Sequence, residues 1–345
     1  MGHATTCGCR SGWTHATRLP GAGPLVHVEV LGVADEREVA ALLIGAIEDY
    51  SNATVVAVEF VAVSVGIVMG CWTDDGRGLV LKVFRASVPR AAIEVGQRAQ
   101  QLAAGAGLAA PQPLSPPVPL GSGTATVEEM LLDGEQCDVR PGPVRAMLAR
   151  DLARLTVALY PLRHHPGLQR PDRALLTDRG SPFPVPHSAI FDFDATADGA
   201  GWIDDAAWAA LDVLGDALGN HGAVMHTDWR AENVRMGPYG VSAIYDWDSL
   251  AAGDEAAHVG GVARAFSTNW SVQDPMVPTL DDLRGFVDDY GRARSVPFTS
   301  DELGRVRAGV IHALAYSARC EHALGPQAVW PWGFRSLLAQ YLRVR

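Results

Sequence analysis

The longest apolar stretch of the chain, residues 54–72, constrains the fold of its first part more than any other feature. Its 19 residues approach the ~20 that a membrane-spanning helix needs. However, the stretch is rich in valine, contains Glu59 and is interrupted by Ser64, Gly66 and Gly70. Because valine favours strands and glycine marks turns, we predict two antiparallel strands around a turn and no membrane span.

The residues that follow continue this sheet. Residues 73–78 have the composition of a turn, and the apolar residues 79–84 predict a third strand that carries Lys82. Residues 89–105 are rich in alanine and end at glycine, which predicts a helix. Residues 124–132 are typical of a further buried strand. The first part of the chain is therefore predicted to be an antiparallel sheet with one helix.

Helical spacing dominates the rest of the chain. Apolar residues recur at steps of three and four over residues 144–159, 203–218 and 283–290. Thr299, with Glu302 three residues later, forms a capping-box pattern that opens another helix. An antiparallel sheet followed by a run of helices indicates the α+β class.

Composition and charge narrow the function. The chain has 345 residues, of which 48% are hydrophobic and 19% charged, and this suits a folded protein of about two domains. We predict a first domain at residues 1–132, with about the first 30 residues unassigned, and a second at residues 133–345. The net charge of −11 argues against a nucleic-acid partner. Five scattered cysteines and the lack of a signal-peptide pattern predict a cytoplasmic protein, and nothing in the sequence indicates an oligomeric state.

The 28 basic residues include a single lysine, Lys82, and all the others are arginine. A lysine is a compact point charge, which the planar guanidinium of arginine does not replace. This indicates either a site that requires an ammonium group or a lysine-poor composition that left one residue by chance.

The chemistry-bearing pattern of the chain begins at residue 226. His226, Asp228 and Asn233 form the pattern HxDxxxxN, and a glycine-containing turn and the apolar segment 241–250, which contains Asp246, follow. The pattern HxDxxxxN alone is weak, but its combination with an apolar strand and a following Asp is more specific.

This arrangement resembles the aminoglycoside phosphotransferase and choline kinase group, which are relatives of the protein kinases. The resemblance covers roughly residues 50–265. It implies a two-lobed protein-kinase-like fold, with a small lobe of antiparallel sheet plus one helix and a large, mostly helical lobe. It also implies transfer of the γ-phosphoryl group of ATP, or alternatively of GTP, to a hydroxyl group of a small molecule, with Mg²⁺.

The resemblance assigns roles to four residues of this segment. Asp228 would accept the proton of the hydroxyl group or orient it, and Arg230 would contact the γ-phosphate. Asn233 and Asp246 would give Mg²⁺ the oxygen ligands that it prefers.

The resemblance also implies a nucleotide site in the first domain. Lys82 would hold the phosphates and pair with Glu94 on the following helix. The backbone near the end of the last strand of that domain would receive adenine, at Met130, Leu131 and Leu132. The glycine-rich phosphate loop of protein kinases is missing, and Ser64 and Gly66 stand in its place.

Three further residues are candidates for acceptor binding. Trp229 could line the acceptor pocket, although buried tryptophans more often pack in cores. Asp248 could contact metal or simply cap a helix, and Asp194 could shape a loop beside the acceptor. In addition, His258 replaces an Asp that the family usually has, and this departure concerns stability more than catalysis.

A phosphatase is an alternative from another enzyme class. Residues 189–196, AIFDFDAT, resemble the first motif of haloacid-dehalogenase-type phosphatases, in which Asp192 would be the nucleophile. That family needs a lysine after this motif, and the sequence has none beyond Lys82. A kinase-like binding protein without catalysis is the non-enzyme alternative, although the candidate base and metal ligands are all present.

The acidity of the chain favours an acceptor that carries amines. We therefore expect an aminoglycoside or another antibiotic as the acceptor. A sugar, a choline-like compound or an amino-alcohol metabolite is the alternative.

Overall fold

The computed structural model describes six segments of the chain, namely residues 22–168, 180–186, 188–219, 222–269, 277–325 and 333–344. The chain forms two compact units. The first comprises the described residues up to Pro89 together with Pro113–Leu131, and the second comprises Arg90–Gln112 and the described residues from Leu132 onward. Residues 1–21 of the unassigned extension lie outside the described residues.

The first unit is a sheet with two helices before it. The helices are α1 (Ala22–Leu31) and α2 (Glu36–Ser51), and the strands are β1 (Val55–Val63), β2 (Ile67–Thr73), β3 (Gly78–Phe84), β4 (Val118–Leu120) and β5 (Gly123–Glu129). The strand order is β1-β2-β3-β5-β4, and each neighbouring pair is antiparallel. The prediction of strands over residues 54–72 is confirmed, and no helix among the described residues is long and apolar enough to cross a membrane.

The pleat of this sheet separates a core face from a polar face. Alternate residues such as Met69 and Leu81 pack with Leu43 and Ile47 of α2 in one buried cluster. Their neighbours on the opposite face include Lys82, which is only partly buried. The core of the first unit therefore lies between the sheet and the two helices, and the other face of the sheet carries the lysine.

The second unit is mostly helical. Its helices are α3 (Arg90–Gly105), α4 (Gly142–Leu159), α5 (Gly201–Leu214), α6 (Glu255–Ala263), α7 (Leu280–Ala293), α8 (Ser300–Leu324) and α9 (Phe334–Arg343). Its strands are β6 (Ala223–His226), β7 (Val234–Gly237), β8 (Gly240–Ile244) and β9 (Leu250–Gly253). The predicted helices over 89–105, 144–159 and 283–290 and the capping box at Thr299 are confirmed.

Two sequence-based expectations need adjustment. The helix predicted over residues 203–218 ends at Leu214, because Gly215 adopts a φ of 43°. Helix α3, which we expected in the first domain, belongs by its contacts to the second unit. The reason is its apolar face, whose Val95 and Ala99 lie in the same buried cluster as Leu152 of α4. The functional boundary between residues 132 and 133 stays a prediction.

Helices α6 and α8 touch through their backbones. A Cβ atom on Gly260 would lie 2.2 Å from the Val306 carbonyl oxygen, and one on Gly309 would lie 2.3 Å from the Ala257 carbonyl oxygen. Such distances leave no room for a side chain at either position. This crossing fixes α6. Helix α6 follows β9, and β9 pairs with β6, the strand at whose end the HxDxxxxN pattern begins.

Candidate active site

The HxDxxxxN pattern lies on a loop between two short strands. Strand β6 ends at His226 and pairs with β9, whereas β7 begins at Val234 and pairs with β8. The Tyr245 amide donates a hydrogen bond of 2.8 Å to the Asn233 carbonyl oxygen. The two strand pairs thus hold the loop at both ends and bring the segment after β8 against it.

His226 braces this loop. Its side chain is fully buried, with Nε2 2.7 Å from the Tyr245 carbonyl oxygen and Nδ1 3.1 Å from the Ser249 hydroxyl. Thr227 adds a second link, because its hydroxyl donates to the Ser249 carbonyl oxygen at 2.6 Å. These bonds agree with a structural role for His226 and fix the loop against residues 245–249.

Asp228 is oriented by two side chains of its own loop. Its Oδ2 accepts a hydrogen bond of 2.8 Å from the Asn233 amide nitrogen and lies 3.2 Å from an Arg230 guanidinium nitrogen. The Asp228 side chain keeps 29% of its surface exposed, so a hydroxyl group can reach it. A positioned and accessible carboxylate is what general-base catalysis needs.

Asn233 and Asp246 are the candidate metal ligands. The amide nitrogen of Asn233 donates to both the backbone oxygen and Oδ2 of Asp228, at 2.9 and 2.8 Å, so its amide oxygen is the atom that can bind a metal. Asp246 adopts a φ of 63°, a left-handed conformation that non-glycine residues rarely hold outside special sites. The Ser249 hydroxyl donates to its carbonyl oxygen at 2.9 Å.

The donor chemistry of this pair fits Mg²⁺. An amide oxygen and a carboxylate are hard ligands, and Mg²⁺ in phosphoryl-transfer sites is held by one or two such groups plus substrate phosphates and water. Among the described residues, no group of three or more His, Cys, Asp or Glu could hold a metal ion by itself.

Arg230 lies between two carboxylates. Besides Asp228, it approaches Glu232 Oε2 at 3.2 Å, and 23% of its side chain is exposed. Its Nε is enclosed and has no hydrogen-bond partner. The guanidinium is thus held beside the candidate base, and its contact with a γ-phosphate stays a prediction.

Lys82 has a partner that sequence reasoning missed. Its Nζ lies 2.9 Å from Glu128 Oε1 on β5, and only 16% of the lysine and 7% of the glutamate side chain are exposed. Lys82 is in register with Thr126, so Glu128 stands two residues away on the same face of the sheet. The alternation of polar residues in 124–129 could have indicated this pair, but the register between β3 and β5 is needed to identify it.

Glu94 lies on α3 in the second unit. It accepts a hydrogen bond of 2.7 Å from Arg90 in an i,i+4 pair on the helix surface, and about half of its side chain is exposed. The Lys82–Glu94 pair that the resemblance implies stays a prediction.

The turn between β1 and β2 contains Ser64 and Gly66. The Ser64 amide donates to the Gly66 carbonyl oxygen at 3.0 Å. A Cβ on Gly66 would lie 2.6 Å from the Val83 carbonyl oxygen, so the close approach to β3 already requires glycine there. A phosphate-binding role for this turn stays a prediction.

One backbone group of the predicted adenine site at residues 130–132 is already hydrogen-bonded within the sheet. The Met130 amide donates to the Gly78 carbonyl oxygen at 3.0 Å and is not available to a base. Binding of adenine by the backbone of Met130, Leu131 and Leu132 stays a prediction.

The three candidates for acceptor binding lie in different environments. Trp229 is 1% exposed and packs edge-to-face with His226, with ring centroids 5.8 Å apart, as a core tryptophan does. Asp248 is exposed in the turn after Asp246. Asp194 is exposed in a turn far along the chain from the loop. Their roles toward an acceptor stay predictions.

The phosphatase-like motif forms turns and not the strand that the alternative requires. Asp192 Oδ1 accepts the Ala195 amide at 2.9 Å, and Arg319 holds the segment through the Phe193 carbonyl and, at 3.1 Å, the Thr196 hydroxyl. Asp192 therefore caps a turn, which accounts for the DxDxT pattern without catalysis.

A profile of the phosphotransferase enzyme family matches residues 70–306. The matched region includes Lys82, the HxDxxxxN loop and Asp246. The chain belongs to this family. It is thus a small-molecule phosphotransferase that acts on hydroxyl groups, and the sequence-based resemblance is confirmed. No curated protein matched the sequence.

The fold of this phosphotransferase is also found in solved structures. A spectinomycin phosphotransferase in complex with ADP and spectinomycin is 10% identical, with a TM-score of 0.56 over 88% of this chain and 98% of that one. An ethanolamine kinase from Plasmodium vivax is 13% identical, with a TM-score of 0.54 over 94% and 96%. An amicoumacin kinase with AMP-PNP, Ca²⁺ and its ligand is 12% identical, with a TM-score of 0.51 over 88% and 100%. At these identities the likeness shows the fold alone, which is the predicted α+β, two-lobed protein-kinase-like fold.

His258 gives this phosphotransferase a testable pH dependence. Burial lowers the pKa of His258 to about 4, although the charge of Asp254 acts in the opposite direction. In the unfolded chain the His258 imidazole takes up a proton near the ordinary pKa of 6.5, whereas in the folded protein it does so only near pH 4. The contribution of the neutral imidazole to the free energy of unfolding is therefore fully present above pH 6.5 and is lost as the pH falls toward 4. This difference in pKa can lower the free energy of unfolding by at most roughly 3 kcal/mol.

We expect the free energy of unfolding in urea to fall between pH 7 and pH 5 and to fall less in His258→Gln. A wild-type protein and a His258→Gln variant with the same pH dependence would show that another group controls it.

Proposed function

We propose that this phosphotransferase moves the γ-phosphoryl group of ATP, or alternatively GTP, to a hydroxyl group of a small molecule with Mg²⁺ as the metal. The observation that carries the proposal is the loop from His226 to Asn233. It holds Asp228 between Asn233 and Arg230, and hydrogen bonds fix it to the segment that carries Asp246.

Each residue would have a separate task. Asp228 would orient the acceptor hydroxyl and take its proton, and Arg230 would stabilise charge on the transferring group. The Asn233 amide oxygen and the Asp246 carboxylate would hold Mg²⁺, which offsets phosphate charge when it is bound. Lys82 would bind the phosphates of the nucleotide, and Glu128 would keep its ammonium in place.

The nucleotide is supported by the solved structures that share the fold. The spectinomycin phosphotransferase contains ADP, and the amicoumacin kinase contains AMP-PNP and Ca²⁺. For the acceptor, an aminoglycoside or another antibiotic is the first candidate, and sugars, choline-like compounds and amino alcohols are the second.

A coupled assay of ADP release tests this function. The wild-type protein with MgATP is screened against aminoglycosides, nucleoside and peptide antibiotics, amino sugars, choline and ethanolamine, with MgGTP as the alternative donor. We expect acceptor-dependent ADP release that EDTA abolishes. Phosphate release from phosphomonoesters without nucleotide, or a lack of MgATP binding in calorimetry, would contradict the proposal.

A further inference from the structure

Arg264, which directly follows α6, is anchored on the late helices of the second unit. One guanidinium nitrogen donates to the Ser317 hydroxyl of α8 at 2.9 Å, and the guanidinium carbon lies 6.0 Å from the centroid of the Phe334 ring of α9. The side chain is partly exposed, while its Nε is enclosed. Arg264 is therefore held in one position and can still be reached by a ligand.

The residues around Arg264 connect it to the candidate base. The Ala231 amide, inside the HxDxxxxN loop, donates to the Phe266 carbonyl oxygen at 2.8 Å, two residues beyond Arg264. Burial lowers the pKa of Arg264, the negative charge of Asp228 raises it and the positive charge of Arg230 lowers it. The backbone hydrogen bond from Ala231 to Phe266 ties the segment after Arg264 to the loop that carries both of these charges.

Arg264 has no carboxylate partner among the described residues. Three arginines on α8 and α9 do have one, namely Arg305 with Asp254 at 3.2 Å, Arg319 with Asp204 at 3.4 Å and Arg335 with Glu321 at 3.3 Å. No described carboxylate oxygen lies within 4.0 Å of Arg264. Its Nε is enclosed without a hydrogen-bond partner, as are Arg230 Nε and Trp229 Nε1.

These enclosed groups are all hydrogen-bond donors, and none of them can accept a hydrogen bond. Arginine and tryptophan side chains have no acceptor atom, so only an oxygen-bearing or otherwise electron-rich partner satisfies them. A partly buried guanidinium without a counter-charge has a desolvation cost, and an anion beside it offsets that cost. The planar fork of arginine also suits the two oxygens of a carboxylate or a phosphate.

We propose that Arg264 selects an acceptor that carries an anionic group, such as a carboxylate or a phosphate ester, beside the hydroxyl group that Asp228 activates. This inference rests on the proposed function and narrows its substrate class. The net charge of −11 favours amine-bearing acceptors for the chain as a whole, but Arg230 lies 3.2 Å from Asp228, and Arg264 precedes a segment that is hydrogen-bonded to the same loop. Arg264 is held by Ser317 of α8 and Phe334 of α9, and neither helix contains a candidate nucleotide-binding or metal-binding residue. This favours a group of the acceptor, and not the γ-phosphate, as the anion that Arg264 binds.

Anion binding to the nucleotide-loaded enzyme tests this assignment. Malonate is titrated into wild-type protein saturated with MgADP, and binding is measured by calorimetry. We expect wild-type protein to bind malonate and Arg264→Gln to bind it roughly 10- to 100-fold more weakly, the effect of losing a hydrogen bond to a charged group. Arg264→Lys should keep part of the affinity. Arg284→Gln, on the exposed surface of α7, is the matched control and should bind like wild type.

Three results would overturn the assignment. They are a lack of malonate binding to the MgADP complex, equal binding by wild type and Arg264→Gln, and loss of binding when AMP-PNP replaces ADP. The last result would place the anion at the γ-phosphate, and it needs only wild-type protein, so it stands even if the variants fail to fold. A failure of MgADP itself to bind would instead reject the proposed function.

Discussion

Asp228→Asn is expected to lower kcat by roughly 10²- to 10⁴-fold, the usual range for loss of a general base. The substitution keeps the shape of the side chain and its contact with Asn233, but it removes the carboxylate that we propose takes the hydroxyl proton. The affinity for MgATP, measured by calorimetry, should change little, because the proposed metal ligands Asn233 and Asp246 are retained. Steady-state kinetics of ADP release with a saturating acceptor measure the effect.

The matched control is Asp288→Asn on α7, where the side chain is exposed. It should leave kcat and the affinity for MgATP unchanged. If Asp228→Asn turned over at a rate close to wild type, Asp228 would be a structural residue of the loop and another group would have to take the proton.

Lys82→Met is expected to lower kcat/KM for ATP on the order of 10²-fold, because the fixed charge that we propose stabilises the transferring phosphates is lost. The same substitution leaves Glu128, which is 6% exposed, without its cation. Breaking a buried ion pair by removing one partner costs about 3–5 kcal/mol. The single variant therefore combines a functional loss with a folding defect.

The double variant Lys82→Met/Glu128→Gln separates these two effects. It replaces the Glu128 carboxylate with a neutral amide, so the free energy of unfolding in urea should recover most of the loss, while kcat/KM for ATP stays low. Recovery of both quantities would mean that Lys82 serves the sheet and not the nucleotide. Unchanged kinetics in Lys82→Met would lead to the same conclusion.

Local patterns in the sequence identified most of the elements that position the site. The valine-rich stretch predicted β1 and β2 because strand preference and turn residues agree within a few positions. The HxDxxxxN loop was found because its residues are close in sequence and carry the chemistry themselves. The helices α1 and α2 were not predicted, since they precede the region that resembles a known family.

The contacts that sequence reasoning missed join distant parts of the chain. Glu128 was overlooked as the partner of Lys82 because the register between β3 and β5 is a tertiary property. Arg264 was not predicted as a site residue because it belongs to no motif. Its lack of a carboxylate partner among the described residues depends on how the late helices pack around it. Both residues became candidates through what surrounds them and not through their place in a pattern.

The contact between the backbones of α6 and α8 limits how the acceptor preference of this enzyme can be redesigned. Helix α8 supplies Ser317, and Arg264 directly follows α6, so a library aimed at new acceptors would naturally randomise both helices. Gly260 and Gly309 must be held constant in such a library, because any larger residue would wedge the helices apart and move Arg264 with them. Gly304, where an added Cβ meets nothing within 4 Å, is a position on α8 that can be varied freely.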